Sequence, residues 1–147
     1  MKLLKLIFAG LTFLISFSVY AEDGVSRSAL TSAIEEKEPI DQIAELTNDK
    51  TKIFFFTEIK GMKDHIITHR WKYNGKVQAD VKFDIGGDRW RVWSSKNLNE
   101  SQLGEWTVSV LDVGGNVMAQ QTFNYIEAVV EAEKIAEPPA ESQTTEQ

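Results

Sequence analysis

The clearest alternation of apolar and polar positions lies in Lys76–Ile85, KVQADVKFDI. Val77, Ala79, Val81, Phe83 and Ile85 fall on one side, and Lys76, Gln78, Asp80, Lys82 and Asp84 on the other. A period of two is that of a strand with one face on a core and the other in water. His65–Tyr73 keeps the same rhythm, and Asn74-Gly75 between the two segments marks a hairpin. Register then decides where His69 and Trp71 point. A two-residue turn pairs Tyr73 with Lys76 and leaves Trp71 beside Gln78 on the wet face. A three-residue loop, Tyr73-Asn74-Gly75, pairs Trp71 with Val77, His69 with Ala79 and Ile67 with Val81. The three-residue loop is expected, because it sets apolar beside apolar and a one-residue slip would turn the whole face out.

The other strands follow from the same pattern. Lys52–Lys60, KIFFFTEIK, is rich in isoleucine and phenylalanine, with apolar residues on both faces, so it should be covered on both sides. After the bend at Gly86-Gly87, Arg89–Ser95 places Trp90, Val92 and Ser94 on one face and Arg89, Arg91, Trp93 and Ser95 on the other. Trp90 is expected in the core. Glu105–Val113 and Asn116–Tyr125 form a last hairpin around Gly114-Gly115, pairing Val110 with Ala119, Val108 with Gln121 and Trp106 with Phe123. Val25–Ile34 fits either a helix capped by Ser26 or a strand of weak alternation. Glu38-Pro39 breaks whatever precedes it. Short strands with glycine turns and no convincing helix predict an all-β fold, an antiparallel immunoglobulin-like β-sandwich of about seven strands.

Both ends depart from this pattern. Lys2 and Lys5 precede an apolar run from Leu6 to Val19, and Ala21 is followed by Glu22 and Asp23. This is the layout of a cleavable signal peptide over residues 1–21, with cleavage after Ala21, and the run is short for a membrane span. Residues 22–125 then form one domain. Residues 126–147 are a glutamate-, alanine- and proline-rich tail expected to be largely disordered. The chain has no cysteine, which excludes a lipid-modified N-terminal cysteine and any disulfide. A periplasmic location is the expectation, with no membrane span in the mature chain.

Charge is segregated. Without Lys2 and Lys5, 14 basic side chains face 22 acidic ones, a net of −8. Residues 126–147 hold six glutamates and one lysine, whereas Lys60–Lys96 holds nine basic and four acidic residues. An acidic, exported chain argues against nucleic-acid binding. Its basic centre can still meet an anionic partner.

Phe56-Thr57, His69-x-Trp71, Trp90-Arg91-x-Trp93-Ser94-Ser95-Lys96, Gly104-x-Trp106 and Gly115 occur in an order that resembles bacterial domain-of-unknown-function family twenty-nine fourteen. The likeness runs from about Val25 to Tyr125, and the Trp-Arg-x-Trp-Ser-Ser-Lys run is its most specific part. The resemblance implies that Val25–Ile34 is extended. It implies no activity, so no catalytic residue, cofactor or metal ligand follows from it.

The candidate chemistry is sparse. His65 and His69 on one strand lie ~13 Å apart, too far for one zinc ion. His69 and Trp71 read as a semi-buried pair at the edge of the core, with a proton-carrying role as the competing reading. Ser94 or Ser95 with His69 and Asp80 makes a poor triad: no nucleophile elbow surrounds either serine, and His69 and Asp80 point to opposite faces. The constellation above background is Arg89, Arg91, Trp93, Ser95 and Lys96. Arginine forks suit carboxylate or phosphate, and an exposed indole stacks on a sugar face or an apolar side chain. An arginine–tryptophan ladder, worth ~0.5–1 kcal/mol per cation–π contact, is the structural alternative. The expected function is a non-catalytic binding module that takes an anionic or glycan envelope ligand, or a protein partner, on this face.

Overall fold

The computed structural model describes residues 23–129. The signal-peptide reading and most of the acidic tail lie outside the described residues. Within them are ten strands and no helix: β1 (Gly24–Thr31), β2 (Ile34–Glu35), β3 (Glu38–Pro39), β4 (Glu45–Thr47), β5 (Lys52–Lys60), β6 (Ile66–Tyr73), β7 (Lys76–Asp84), β8 (Arg89–Asn97), β9 (Gly104–Leu111) and β10 (Val117–Ile126). Among them no helix is long and apolar enough to cross a membrane.

The seven strands of eight residues or more build two sheets. One has the order β1-β5-β8; the other runs β4-β10-β9-β6-β7. All pairings of the long strands are antiparallel, and only the short β4 joins β10 in parallel. The inner faces enclose a core in which Phe55 and Ile53 of one sheet meet Trp71, Trp106 and Phe123 of the other. Each such side chain contributes ~1.5–3 kcal/mol on burial, which lets the sandwich stand without crosslinks. Buried polar tips are satisfied: Trp106 Nε1 donates to the Gln102 carbonyl (3.1 Å) and the Tyr125 hydroxyl to that of Lys50 (2.9 Å).

Of Val25–Ile34, which the family resemblance implies is extended, the part up to Thr31 belongs to β1 (Gly24–Thr31) and Ile34 opens β2. The last hairpin pairs Val110 with Ala119, Val108 with Gln121 and Trp106 with Phe123 as expected, but its loop is wider than two residues and a bulge precedes Ala119. The β6–β7 hairpin corrects the sequence reading. Its turn is the two-residue kind, with Tyr73 opposite Lys76, and Asn74 (φ 45°) and Gly75 (φ 78°) both take the left-handed backbone that such a turn requires. A bulge then absorbs one residue, so Trp71 faces Ala79, His69 faces Val81 and Ile67 faces Phe83. The extra residue keeps Trp71 inside, which a two-residue turn alone would not. Val77 is left exposed.

Candidate functional site

The site is built around β5, the middle strand of the three-stranded sheet. Its inward side chains are Ile53, Phe55, Thr57 and Ile59; its outward ones are Phe54, Phe56 and Glu58. Apart from Phe54, which is half-buried, both sets are buried, in line with cover on both sides.

Inside, a neutral polar thread crosses between the sheets. Trp71 Nε1 donates to Ser94 Oγ at 3.0 Å, and Ser94 Oγ lies 2.9 Å from His69 Nδ1. His69 Nε2 lies 3.0 Å from Thr57 Oγ1, which reaches the Val92 carbonyl at 3.5 Å. The Thr57 hydroxyl gives its proton to the Val92 carbonyl and so accepts from Nε2, which leaves Nδ1 to accept from Ser94, itself the acceptor of the Trp71 indole N–H. His69 is then the Nε2–H tautomer, donating to Thr57. No buried side-chain nitrogen or oxygen among the described residues lacks a partner. His69 is fully buried rather than at the core edge, because Phe55 and Phe83 flank its ring, each with centroids 4.8 Å away. Burial pushes its pKa down to about 3, so the ring is neutral at physiological pH.

Ser94 is therefore within hydrogen-bond reach of His69, yet the third position is held by a threonine and the group has no open cleft. Asp80 faces away, in a bidentate pair with Arg70 at 2.8 and 2.7 Å. His65 is exposed, its Nδ1 on the Lys63 carbonyl. Among the described residues no group of three or more histidines or carboxylates is arranged to hold a metal.

Outside, charge replaces neutrality. Glu58, only 3% exposed, takes two hydrogen bonds on Oε2 from Arg89, at 2.9 and 2.7 Å, and one on Oε1 from Ser26 at 2.9 Å. Arg27 and Arg91 approach the same carboxylate at 3.4 Å. The Arg89 guanidinium, with Ser26 and Arg27, holds the Glu58 carboxyl down at about 2, against the opposing effect of burial. Glu38 on β3 adds a second anchor, 2.8 Å from Arg27 and 3.0 Å from Arg91. The ladder on this face is thus arginine with glutamate. Its cation–π contacts are Arg27 over Phe56 and Lys52 over Phe54, each at 5.2 Å, and among the described residues no arginine stacks on a tryptophan.

Trp90 corrects the expectation of a core residue: it is 40% exposed, folded over Gly86, where an added Cβ would sit 2.9 Å from its ring. Trp93 is 37% exposed. An open groove of about 420 Å³ at the β8 edge is lined by Lys37, Arg89, Trp90, Arg91 and Trp93, although Trp90, opposite Ile59, and Trp93, opposite Phe56, leave the strand on opposite sides. Lys37 arrives from the β2–β3 tip, where Glu36 (φ 48°) and Lys37 (φ 65°) both adopt the left-handed conformation that non-glycine residues seldom take. Of the residues singled out from sequence, Arg89, Arg91 and Trp93 meet in the groove. Ser95 lies farther along β8 beside Phe54, and Lys96, opposite Ile53, falls on the other side of the strand. Trp90 and Lys37 join the groove without having been expected there. The close glycine pair ahead of Trp90 was the only sequence signal for the first, and nothing in the local pattern announced the second.

The arrangement is an all-β two-sheet sandwich with an open groove lined by cations and tryptophans at the β8 edge of its smaller sheet. Residues 64–125 match the model of the family described as "Protein of unknown function (DUF2914)", which bears out the resemblance drawn from the tryptophan motifs. The match spans β6 to β10 and leaves out β1 and β5. No curated protein matches the chain. Among solved structures, a β-glucosidase from Kluyveromyces marxianus is similar at 15% identity and a TM-score of 0.40, covering 69% of this chain and 14% of that one.

Proposed function

We propose that this is an exported, non-catalytic binding module whose groove at the β8 edge, lined by Lys37, Arg89, Trp90, Arg91 and Trp93, takes an anionic or glycan-bearing ligand of the cell envelope. The carrying observation is that Arg89 and Arg91 are fixed by a buried glutamate while Trp90 and Trp93 stay open beside them. A guanidinium already held in place loses little side-chain freedom when a ligand arrives. Lys37, Arg89 and Arg91 put three cationic heads on the groove lining, which suit a carboxylate, phosphate or sulfate. The indoles offer flat apolar walls for a sugar ring. Export is supported by the Lys2–Ala21 pattern. A non-catalytic role is supported by the enclosure of His69, the one histidine near a serine.

A docked protein is the second reading. It is favoured by the free edge of β8 and by a hollow of about 240 Å³ beside it, lined by Phe83, Arg91, Val92 and Trp93. Tryptophan and arginine are the usual anchors of such contacts.

Thermal unfolding against peptidoglycan disaccharide fragments, sulfated oligosaccharides and polyphosphate separates the two. A ligand at 100 times its Kd adds ~2.7 kcal/mol, a shift of several degrees for a domain of this size. A shift that Trp93→Ala abolishes supports the ligand reading. No shift with any probe, together with a crosslinked partner through β8, supports the protein reading.

A further inference from the structure

We propose that β8 is a pairing edge: a second copy of this chain adds its own β8 in antiparallel, about a two-fold axis at Val92, and joins the two three-stranded sheets into one. This rests on the reading of that edge as a protein-docking surface and names the partner.

The free backbone groups can be assigned residue by residue. β8 pairs with β5 alone, and the register runs without a shift from Lys52 opposite Asn97 to Lys60 opposite Arg89. Just beyond its two ends, the Leu98 amide donates to the Thr51 carbonyl at 2.8 Å and the Gly61 amide to the Asp88 carbonyl at 2.9 Å. Bonded pairs alternate along an antiparallel ladder. In steps of two from Asp88 and Leu98, the residues bonded to β5 are Trp90, Val92, Ser94 and Lys96. The N–H and C=O groups of Arg89, Arg91, Trp93 and Ser95 therefore point to the open edge, and no other described residue bonds them.

The other edges are guarded. β1 is bulged between Val25 and Arg27, its Leu30 carbonyl accepts from Ile43, and β4 is only Glu45–Thr47. β7 turns the charges of Asp80, Lys82 and Asp84 to solvent. Bulges, short strands and charges of this kind keep edges apart. On β8 the two guanidiniums that could do so are drawn back over β5 by Glu58, while Trp93 stands exposed beside them. A hollow of about 240 Å³, lined by Phe83, Arg91, Val92 and Trp93, opens along the same edge.

Self-pairing suits this edge in one register. With the axis at Val92, Arg91 lies opposite Trp93 of the second copy and Arg89 opposite its Ser95, so each free residue meets another free residue. No like charges face each other, and Lys96 comes opposite Asp88 of the second copy. Moving the axis to Arg91 would set the two Arg91 side chains against each other. Moving it to Trp93 loses the pairing of Lys96 with Asp88.

Sedimentation velocity of the exported chain should show monomer passing to dimer between low and high micromolar concentration. Ser95→Pro removes an amide hydrogen that β5 does not use, so it should keep its Tm and weaken the dimer by about tenfold or more. Hydrogen exchange reads the pairing itself. In the dimer the amides of Arg91, Trp93 and Ser95 should slow by about tenfold, while those of Val92 and Ser94, already bonded to β5, hold still. The chain has no cysteine of its own, so oxidation of a Val92→Cys chain should give a covalent dimer, and faster than a Trp93→Cys chain does. A chain that stays monomeric overturns the second copy. Crosslinking through β8 to another protein would then keep the docking reading, and its absence would sink that too. A dimer indifferent to Ser95→Pro, with the Trp93 amide as fast as in the monomer, overturns pairing through β8. Faster crosslinking at Trp93→Cys overturns the axis at Val92, and loss of the fold in Ser95→Pro overturns the assignment of the free groups.

Discussion

The two faces of the three-stranded sheet treat polar groups in opposite ways. On the inner face, Thr57 and Ser94 join His69 and Trp71 in a neutral thread in which each group is donor or acceptor to the next. On the outer face, one residue along β5, Glu58 is charged, buried, and ringed by arginines that reach out to solvent. A neutral thread in a dry core fixes the packing of two sheets and has no free group for a ligand. A charged cluster at the surface leaves cations and indoles exposed for contact. The side chains with the chemistry most suggestive of catalysis are therefore the enclosed ones, and the plainer arginines hold the open surface.

The comparison breaks most visibly at His69. His69→Ala leaves a cavity and strands Ser94, Thr57 and the Trp71 indole, so it should cost about 3–5 kcal/mol in urea unfolding. Glu58→Ala removes the carboxylate from three arginines that remain partly solvated, and a loss of about 2 kcal/mol is expected. Loss of anion binding should accompany it, since Arg89 and Arg91 are no longer held.

Acid separates the two faces. His69 titrates at about 3 in the fold, below its ordinary value near 6.5, so the unfolded chain binds a proton that the fold excludes between those values. Stability should be full above pH ~6.5 and decline below it by up to ~1.4 kcal/mol per pH unit. Glu58, held at about 2 against an ordinary 4.5, adds a second decline as pH falls through that lower window. Glu58→Gln should flatten the lower limb and leave the decline between pH 6.5 and 5. A single limb unaffected by this substitution would contradict the assignment.

The groove variants sit at the small end for stability. Trp93→Ala should change unfolding free energy by less than ~1 kcal/mol while removing any ligand shift, since the indole is open on one side. Gly86→Ala should alter stability least of all. Its Cβ would displace the Trp90 ring and narrow the groove, which a weakened affinity with an unchanged Tm would reveal.

Much of the fold was legible because period-two patterning in Lys76–Ile85 and in the last hairpin leaves little choice of inward face. The β6–β7 turn was misread because a bulge restores the same facing as a longer loop; side-chain pattern alone reports the face and not how the backbone reaches it. His69 was placed too near the surface because burial depended on Phe55 and Phe83 from other strands. Arg89, Arg91 and Trp93 could be grouped from one strand's alternation. Glu58 could not, since its partners come from β1 and β8, and neither could Lys37, which reaches the groove from a separate hairpin.

The four indole N–H groups offer the most direct test. In a nitrogen–proton correlation spectrum, Trp71 and Trp106 donate inside the protein, whereas Trp90 and Trp93 are exposed in the groove. Adding a sulfated oligosaccharide or polyphosphate should shift the Trp90 and Trp93 indole signals together and leave the other two in place. Signals that stay still with every anion and glycan tested, or shifts confined to Trp71 and Trp106, would contradict a binding role for this face.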